Sequence, residues 1–496
     1  MRAPIYQAKS NQTGAALLML LTVIVLGGAY LLLTSLNNSS GKLLQNQQTV
    51  DSLAQAKDAL IGHALTYADQ HAGQPQGYLP CPDLDGDGTA DGACGAANES
   101  VIGRLPWRTL DLPPLRDGAG ECLWYVVSGT YKNNPKLALT SDTDGLLLVE
   151  SQAGATVIGA TPTKQAVAII FAPGQLLAPQ DRSFTRRTRT ECGSMTPGDA
   201  GNHAANYLEA LGDINNATGF DIAAAGLSPG SDPLPASLPS VFVNAAIVKD
   251  AEGNIVFNDA LLAITPADFS MVYRRMDEWV ANRVVNCLQA YQSQTANNRK
   301  FPWASAINPL GYNDANGQLY GRVSNEIGAG NINNLDGLND TAASDPAMTA
   351  AWVDEPSPPL PQSNIRCFND TIAADLNWEW WWWPAWKEMV FVGVDANFAP
   401  NGTAKLPAAR LTLDGANEAA VVFISSRKLA GQSRDTNAEK ANINNYLDGA
   451  NAQTDDDTFI SGPASNVFND VVLPVTSVGG SGTGMGGGMG TGVMGR

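Results

Sequence analysis

The chain has 496 residues, 48 acidic against 30 basic, which gives a net charge of −18 and a pI near 4.5. A surface this acidic repels phosphate backbones, so nucleic-acid binding by electrostatics is disfavoured. Charged residues are only 16% while Gly, Asn, Ala and Thr are plentiful, a balance that suits a loop-rich exported protein more than a cytosolic enzyme, and the length allows two domains.

Before Gly14 the chain carries Arg2 and Lys9 but no acid, and directly after it Ala15 to Leu33 form an uncharged apolar stretch. From Asn37 the sequence turns polar, yet Leu43, Leu44, Val50, Leu53, Ala54, Lys57, Leu60, Ile61, Ala64, Leu65 and Ala68 keep a helical spacing with no proline before Pro75. One continuous helix is predicted from about Ala15 to about Gln70. Its first part, at about 1.5 Å per residue, would reach about 28 Å, the thickness of a hydrocarbon core. An ordinary signal peptide or signal anchor is the alternative, with cleavage beyond the apolar region.

A basic leader ending in glycine, then an apolar half-helix, then an amphipathic half, resembles type IV pilins and pseudopilins. The resemblance implies removal of the leader (1–14) by a prepilin peptidase between Gly14 and Ala15, and a transmembrane half over 15–36. It further implies other pilin or pseudopilin subunits as partners, and a place in the inner membrane with periplasmic heads that become part of a surface or periplasmic filament on assembly. Most members carry glutamate at the fifth mature residue, where this chain has Met19. That departure resembles minor pilins and the tip pseudopilin of type II secretion rather than a many-copy subunit.

Next along the chain comes Cys81-Pro-Asp83-Leu-Asp85-Gly-Asp87-Gly88-Thr89-Ala-Asp91-Gly-Ala-Cys94. Alternating aspartates followed by glycine place several oxygens around one hard cation, Gly88 allows the sharp turn, and the Thr89 carbonyl can add a ligand. Calcium is the expected cofactor, on Asp83, Asp85, Asp87, Thr89 and Asp91. An EF-hand requires a bidentate glutamate where this loop has Cys94, so the loop is not an EF-hand; an acidic turn without metal is the other reading. Together with Leu105-Pro106-Trp107, the stretch resembles large pilin-like proteins of pilus and type II secretion systems. A Cys81–Cys94 disulfide could close the loop without the missing ligand. The six cysteines, Cys81, Cys94, Cys122, Cys192, Cys287 and Cys367, all lie beyond the apolar segment and permit three disulfides in an oxidising compartment, with the pairing left open. Asp142-Thr-Asp144-Gly145 reads as a solvated turn.

Four segments recur in one order. Ala64-Leu65-Thr66-Tyr67 is echoed by Leu288-Gln289-Ala290-Tyr291, Ala168-Ile169-Ile170-Phe171 by Ala420-Val421-Val422-Phe423, Asn206-Tyr207-Leu208-Glu209 by Asn445-Tyr446-Leu447-Asp448, and Val256-Phe257-Asn258-Asp259 by Val467-Phe468-Asn469-Asp470. Fixed-order self-similarity indicates tandem duplication. The expected fold is α+β, a long N-terminal helix carrying two related pilin-like heads over 37–265 and 266–478, each a helix on an antiparallel sheet. The predicted helices are Val50 to Gln70 and Pro266 to Gln294. The predicted strands are Cys122 to Ser128, Leu146 to Glu150 and Gln165 to Phe171 in the first head, and Met389 to Val394, Leu411 to Leu413 and Ala419 to Ser425 in the second.

Within the second head lie Trp378, Trp380, Trp381, Trp382, Trp383 and Trp386. Read as a strand, such a run turns its rings to both sides, which makes these residues candidates for a surface that binds a partner, a sugar or a lipid headgroup; the alternative is packing within their own head or between the heads. The tail, 479–496, is Gly, Ser, Thr and Met without a hydrophobic period and is expected to be disordered. No P-loop occurs in the sequence, and His63, His71 and His203 form no metal-spaced pair. The functional expectation is therefore a non-enzymatic assembly protein, a minor pilin or pseudopilin near a filament tip. The alternatives are an adhesin-like subunit or an anchored protein that does not polymerise.

Overall fold

The computed structural model describes residues 13–71, 73–183, 192–193, 200–221, 240–293, 300–307, 317–323, 382–399, 411–453 and 457–476, with the side chains of the first helix described from Lys42 onward. That helix, α1, runs Thr13–Gln70. Leu53, Ala56, Leu60, Ala64 and Tyr67 are buried along it, a three- and four-residue spacing that makes one apolar stripe. Earlier in the helix the stripe leaves the protein body: Leu43, Leu44 and Val50 are 69%, 72% and 60% exposed.

Among the described residues no helix is long and apolar enough to cross a membrane. The transmembrane half expected over 15–36 is corrected on this finding, and so are the inner-membrane anchoring and the location that depended on it. From Lys42 onward, where its side chains are described, α1 is apolar along one stripe and polar around the rest, the pattern of a helix lying on a sheet rather than in lipid. Gly14 and Ala15 fall in the first turn of α1, and their side chains are outside the described residues.

After α1 the chain builds β1 (Val101–Arg104), β2 (Trp124–Val127), β3 (Leu147–Ser151), β4 (Ala168–Ala172), β5 (Ser240–Asn244) and β6 (Ala260–Ile264). Strands β1, β2, β4 and β6 form one antiparallel sheet in that order, while β3 pairs in parallel with β5 beside it. Helix α2 (Ser270–Ser293) then opens the second module, followed by β7 (Tyr320–Arg322), the short α3 (Trp383–Trp386), β8 (Val390–Val394), β9 (Ala420–Ile424) and β10 (Val471–Val475). Strands β7, β8, β9 and β10 repeat the first sheet's order and antiparallel sense.

Helix α1 lies on β4 and β6, α2 lies on β9 and β10, and the two helices touch each other. Each helix lies on its own sheet, and α2 also meets the first module directly, with the Tyr273 hydroxyl 2.8 Å from that of Tyr131. Helix α2 buries a broad face, with Val272, Met276, Val280, Ala281, Val284 and Leu288 all inside, because it meets α1 on one side and its own sheet on the other. The apolar side chains of both helices and both sheets consequently form one contiguous core instead of one core per head. The far face of the first sheet packs Trp124, Val126, Ile169 and Phe171 against Tyr207 and Phe242 in a smaller cluster of its own.

Candidate metal centre

The acidic loop is organised by its own carboxylates. Asp83 Oδ1 accepts from the amides of Gly86 at 2.6 Å and Asp87 at 3.2 Å, and its Oδ2 from Gly88 at 2.7 Å. Asp85 Oδ1 accepts from the Asp87 amide at 3.1 Å, Asp87 Oδ1 from the amide and hydroxyl of Thr89 at 2.7 and 2.5 Å, and Asp91 Oδ2 from the Leu84 amide at 2.6 Å. These are the turns that Asp favours when its side chain competes for nearby backbone donors. Gly88 is needed at φ +90°, and a Cβ there would meet the Trp107 ring at 2.5 Å. A Cys81–Cys94 disulfide closes the loop, and its base is pinned by backbone bonds between Asp83 and Arg104 at 3.0 and 2.8 Å.

One carboxylate oxygen each from Asp83, Asp85 and Asp87 converge within 4.8 Å of one another. Oxygens bound at about 2.4 Å to one calcium ion lie at most about 4.8 Å apart, so the trio fits a single hard cation. Asp91 accepts from the Leu84 amide and stands outside the trio, while the Thr89 hydroxyl is turned to Asp87. Burial pushes the Asp83 carboxyl up to about 7, against the pull of the Gly88 and Gly86 amides and with the charges of Asp85 and Asp87 adding to the rise. Burial also raises Asp91, again with Asp85 and Asp87 contributing. A bound divalent cation would reverse this balance by supplying the missing positive charge.

Other expected site residues have different surroundings. Cys122 is joined to Cys192; Cys287 is also disulfide-bonded, while Cys367 lies outside the described residues. Trp382, Trp383 and Trp386 are fully buried, which corrects their assignment to a binding surface. They occupy a turn and the short helix α3 rather than a strand, so their rings share one side. Trp382 packs edge-on against Trp279 of α2, and Trp386 Nε1 donates to the Leu139 carbonyl of the first module at 2.7 Å. Trp378, Trp380 and Trp381 lie outside the described residues, as does the 479–496 tail.

Asp142 and Asp144 form no solvated turn. Arg427 from the second module donates to Asp144 Oδ1 at 2.7 Å and to the carbonyls of Thr143 and Thr163 at 2.9 and 2.7 Å, and Asp142 faces both Lys428 and Arg434 at 3.4 Å. A second feature, which the sequence reading missed, is a stack repeated in both modules. The Tyr207 ring lies against Arg104 and Arg182, at 4.5 and 4.7 Å, and the Tyr446 ring against Arg322 and Arg434, both at 4.5 Å. The arginines too sit in matching segments: Arg182 and Arg434 end Leu177-Ala-Pro-Gln-Asp-Arg182 and Leu429-Ala-Gly-Gln-Ser-Arg434, and Arg104 and Arg322 each follow a glycine on the first strand of their sheet.

Comparison with protein-family models, with curated proteins and with solved structures finds no match for the chain.

Proposed function

We propose that this protein is an assembly subunit of the pilin kind, a minor pilin or pseudopilin, which joins its neighbours through the part of α1 that leaves the core. The observation that carries the reading is the exposure of Leu43, Leu44 and Val50 on a helix whose later turns are buried. Large apolar side chains repeated along an otherwise polar helix are favourable to bury against another protein surface. Met19 in place of the family's glutamate favours a low-copy position, near the tip, with a priming role. Disulfides suit assembly in an oxidising compartment. Calcium held by Asp83, Asp85 and Asp87 then braces the first module and takes no part in a reaction.

The test is the double variant Leu43→Asp/Leu44→Asp in the full chain, expressed in its natural host. It should keep the wild-type melting temperature, since neither side chain is in the core, and disappear from the sheared filament fraction. Undiminished incorporation would overturn the reading. Mass spectrometry of the mature N-terminus gives a second check: cleavage after Gly14 is expected, and a bulky residue at that position should block it.

A further inference from the structure

Each module holds the same buried polar cluster, and each cluster contains two carboxyl groups in contact. In the first, Asp259 Oδ2 accepts from the Glu209 amide at 2.9 Å and the Asn216 side chain at 3.1 Å, while Glu209 accepts from the Asn258 amide at 3.0 Å and from Gln180 at 2.6 Å. In the second, Asp470 Oδ2 accepts from the Asp448 amide at 2.9 Å and Asn451 at 3.0 Å, while Asp448 accepts from the Asn469 amide at 2.9 Å and Gln432 at 3.0 Å. The correspondence runs donor for donor. Asn216 and Asn451 extend it by clamping Val243 and Ile460 in the same manner.

One atom is left over at the same place in both copies. Asp259 Oδ1 and Asp470 Oδ1 are buried and receive no N–H or O–H donor, while the side chains of Glu209 and Asp448 are hydrogen-bonded to these aspartates. Two carboxylates cannot bond each other without a proton, and a buried oxygen bearing charge and no donor is costly. The four amide and side-chain donors fix where that proton belongs. Both oxygens of Glu209 and of Asp448 are occupied as acceptors, so the free oxygen of the aspartate carries it.

We propose that each module is fastened by a proton: Asp259 and Asp470 are neutral acids donating to ionised Glu209 and Asp448, and alkaline conditions open both clasps and loosen strands β6 and β10. The aspartates immediately precede these strands, which are the last of their sheets, so each clasp ties an outer strand to the Tyr207–Glu209 or Tyr446–Asp448 segment. The charged groups facing the first pair are Arg182, shared with Glu121 at 3.6 Å, and Arg104 across Tyr207. Facing the second are Arg434, shared with Asp142 at 3.4 Å, Arg322 across Tyr446, Tyr320, and Arg274, which donates to the Asp470 carbonyl at 3.3 Å. Each cation is divided among other partners and does not neutralise the second carboxylate. Burial, then the neighbouring carboxylate, raises Asp259 well above its ordinary range and Asp470 to about 8.

The sign follows from linkage. A carboxyl raised in the folded state binds its proton there more tightly than in the unfolded chain, so its contribution is complete below about pH 4 and is lost progressively as pH rises toward 8. Each clasp should raise the unfolding constant by up to about tenfold per pH unit across that window. Asp83 and Asp277 also carry raised values near 7, so the decisive measurement is a difference between variants of the full chain. Asn places an N–H where the acid proton stands, so Asp259→Asn/Asp470→Asn should match wild type at pH 4 and outlast it at pH 9 in urea unfolding. Equal pH slopes for the two chains, or a variant weakened equally at both pH values, would overturn the clasps. Should the double variant fail to fold, hydrogen exchange on wild type decides. After correction for intrinsic rates, protection of the Glu209 and Asp448 amides should fall between pH 6 and 9 by at least tenfold more than that of Val422 in the sheet centre; a fall common to all three overturns the proposal.

Discussion

The two modules share strand order, register and a buried polar cluster, yet they fill the segment between helix and first strand by opposite chemistry. In the first, three converging carboxylates and the Cys81–Cys94 disulfide shape the loop. In the second, Phe301 is fully buried against Phe398, and Trp303 is almost as deep. The charged loop is closed covalently and by bonds between its own carboxylates and backbone amides, whereas the apolar segment is held by burial and by backbone bonds such as Phe301 to Phe398 at 2.7 Å. The sheet clusters, by contrast, retain matching donors and acceptors in both copies, since a buried polar group that loses its partner costs more than the bond contributes. Buried hydrogen-bond geometry is thus the constrained part of this plan, and the connecting loop is the free part.

The largest expected effect tests how far the copies depend on each other. Trp386→Ala should destabilise by about 3–5 kcal/mol through lost packing, and it also removes the donor to Leu139. Because the core is contiguous, urea should unfold both modules in a single shifted transition followed by tryptophan fluorescence. Two separated transitions would show independent heads. Cys81→Ser/Cys94→Ser should cost about 3 kcal/mol from the small loop it opens, read as a drop in the denaturant midpoint under oxidising conditions.

Calcium comes next. At about a hundredfold excess over its dissociation constant it should add about 2.7 kcal/mol, seen as a higher melting temperature that Asp85→Asn or Asp87→Asn abolishes. Protons compete for the same site. With Asp83 raised to about 7, the neutral acid is favoured below that value, so the calcium gain should be full above pH 7 and shrink as pH falls toward 4. Calorimetry showing no binding to the wild-type chain at millimolar calcium removes the site. Smallest is Arg427→Ala, at about 2 kcal/mol for a charged hydrogen-bonded group, with lost protection from exchange at Thr143 and Asp144 as the local signature.

Much of this architecture could be read from residue order, and the failures have definite causes. Strands β2, β4, β8 and β9 announced themselves by β-branched and aromatic runs, and α2 by its apolar spacing. The edge strands β1 and β7 escaped because Val101–Arg104 and Tyr320–Arg322 are short and hold Gly103 and Gly321, residues that ordinarily weaken strands. The tryptophan run misled because a period of two was assumed, although Pro384 next to Trp383 is a helix-start signal. Asp142 and Asp144 look like any surface turn until Arg427 and Arg434 arrive from some 280 residues away, a distance over which periodicity carries no information. The acidic loop was legible for the opposite reason, since its converging carboxylates and its disulfide are local.

The junction from β6 to α2 has a further consequence. Thr265 to Phe269 is the whole of the covalent link between Ile264 and Ser270, and it is held at two points: Asp268 bonds Thr265 and pairs with Lys57 of α1 at 2.7 Å, and Phe269 is buried edge-on against Tyr131. A short joint held in this way, with a core shared by both modules, sets the spacing between the two sheets. A partner that spans both modules meets them already at their final spacing, so its second contact forms without the entropy loss of arresting a linker, and a load applied to one sheet is delivered undamped to the other.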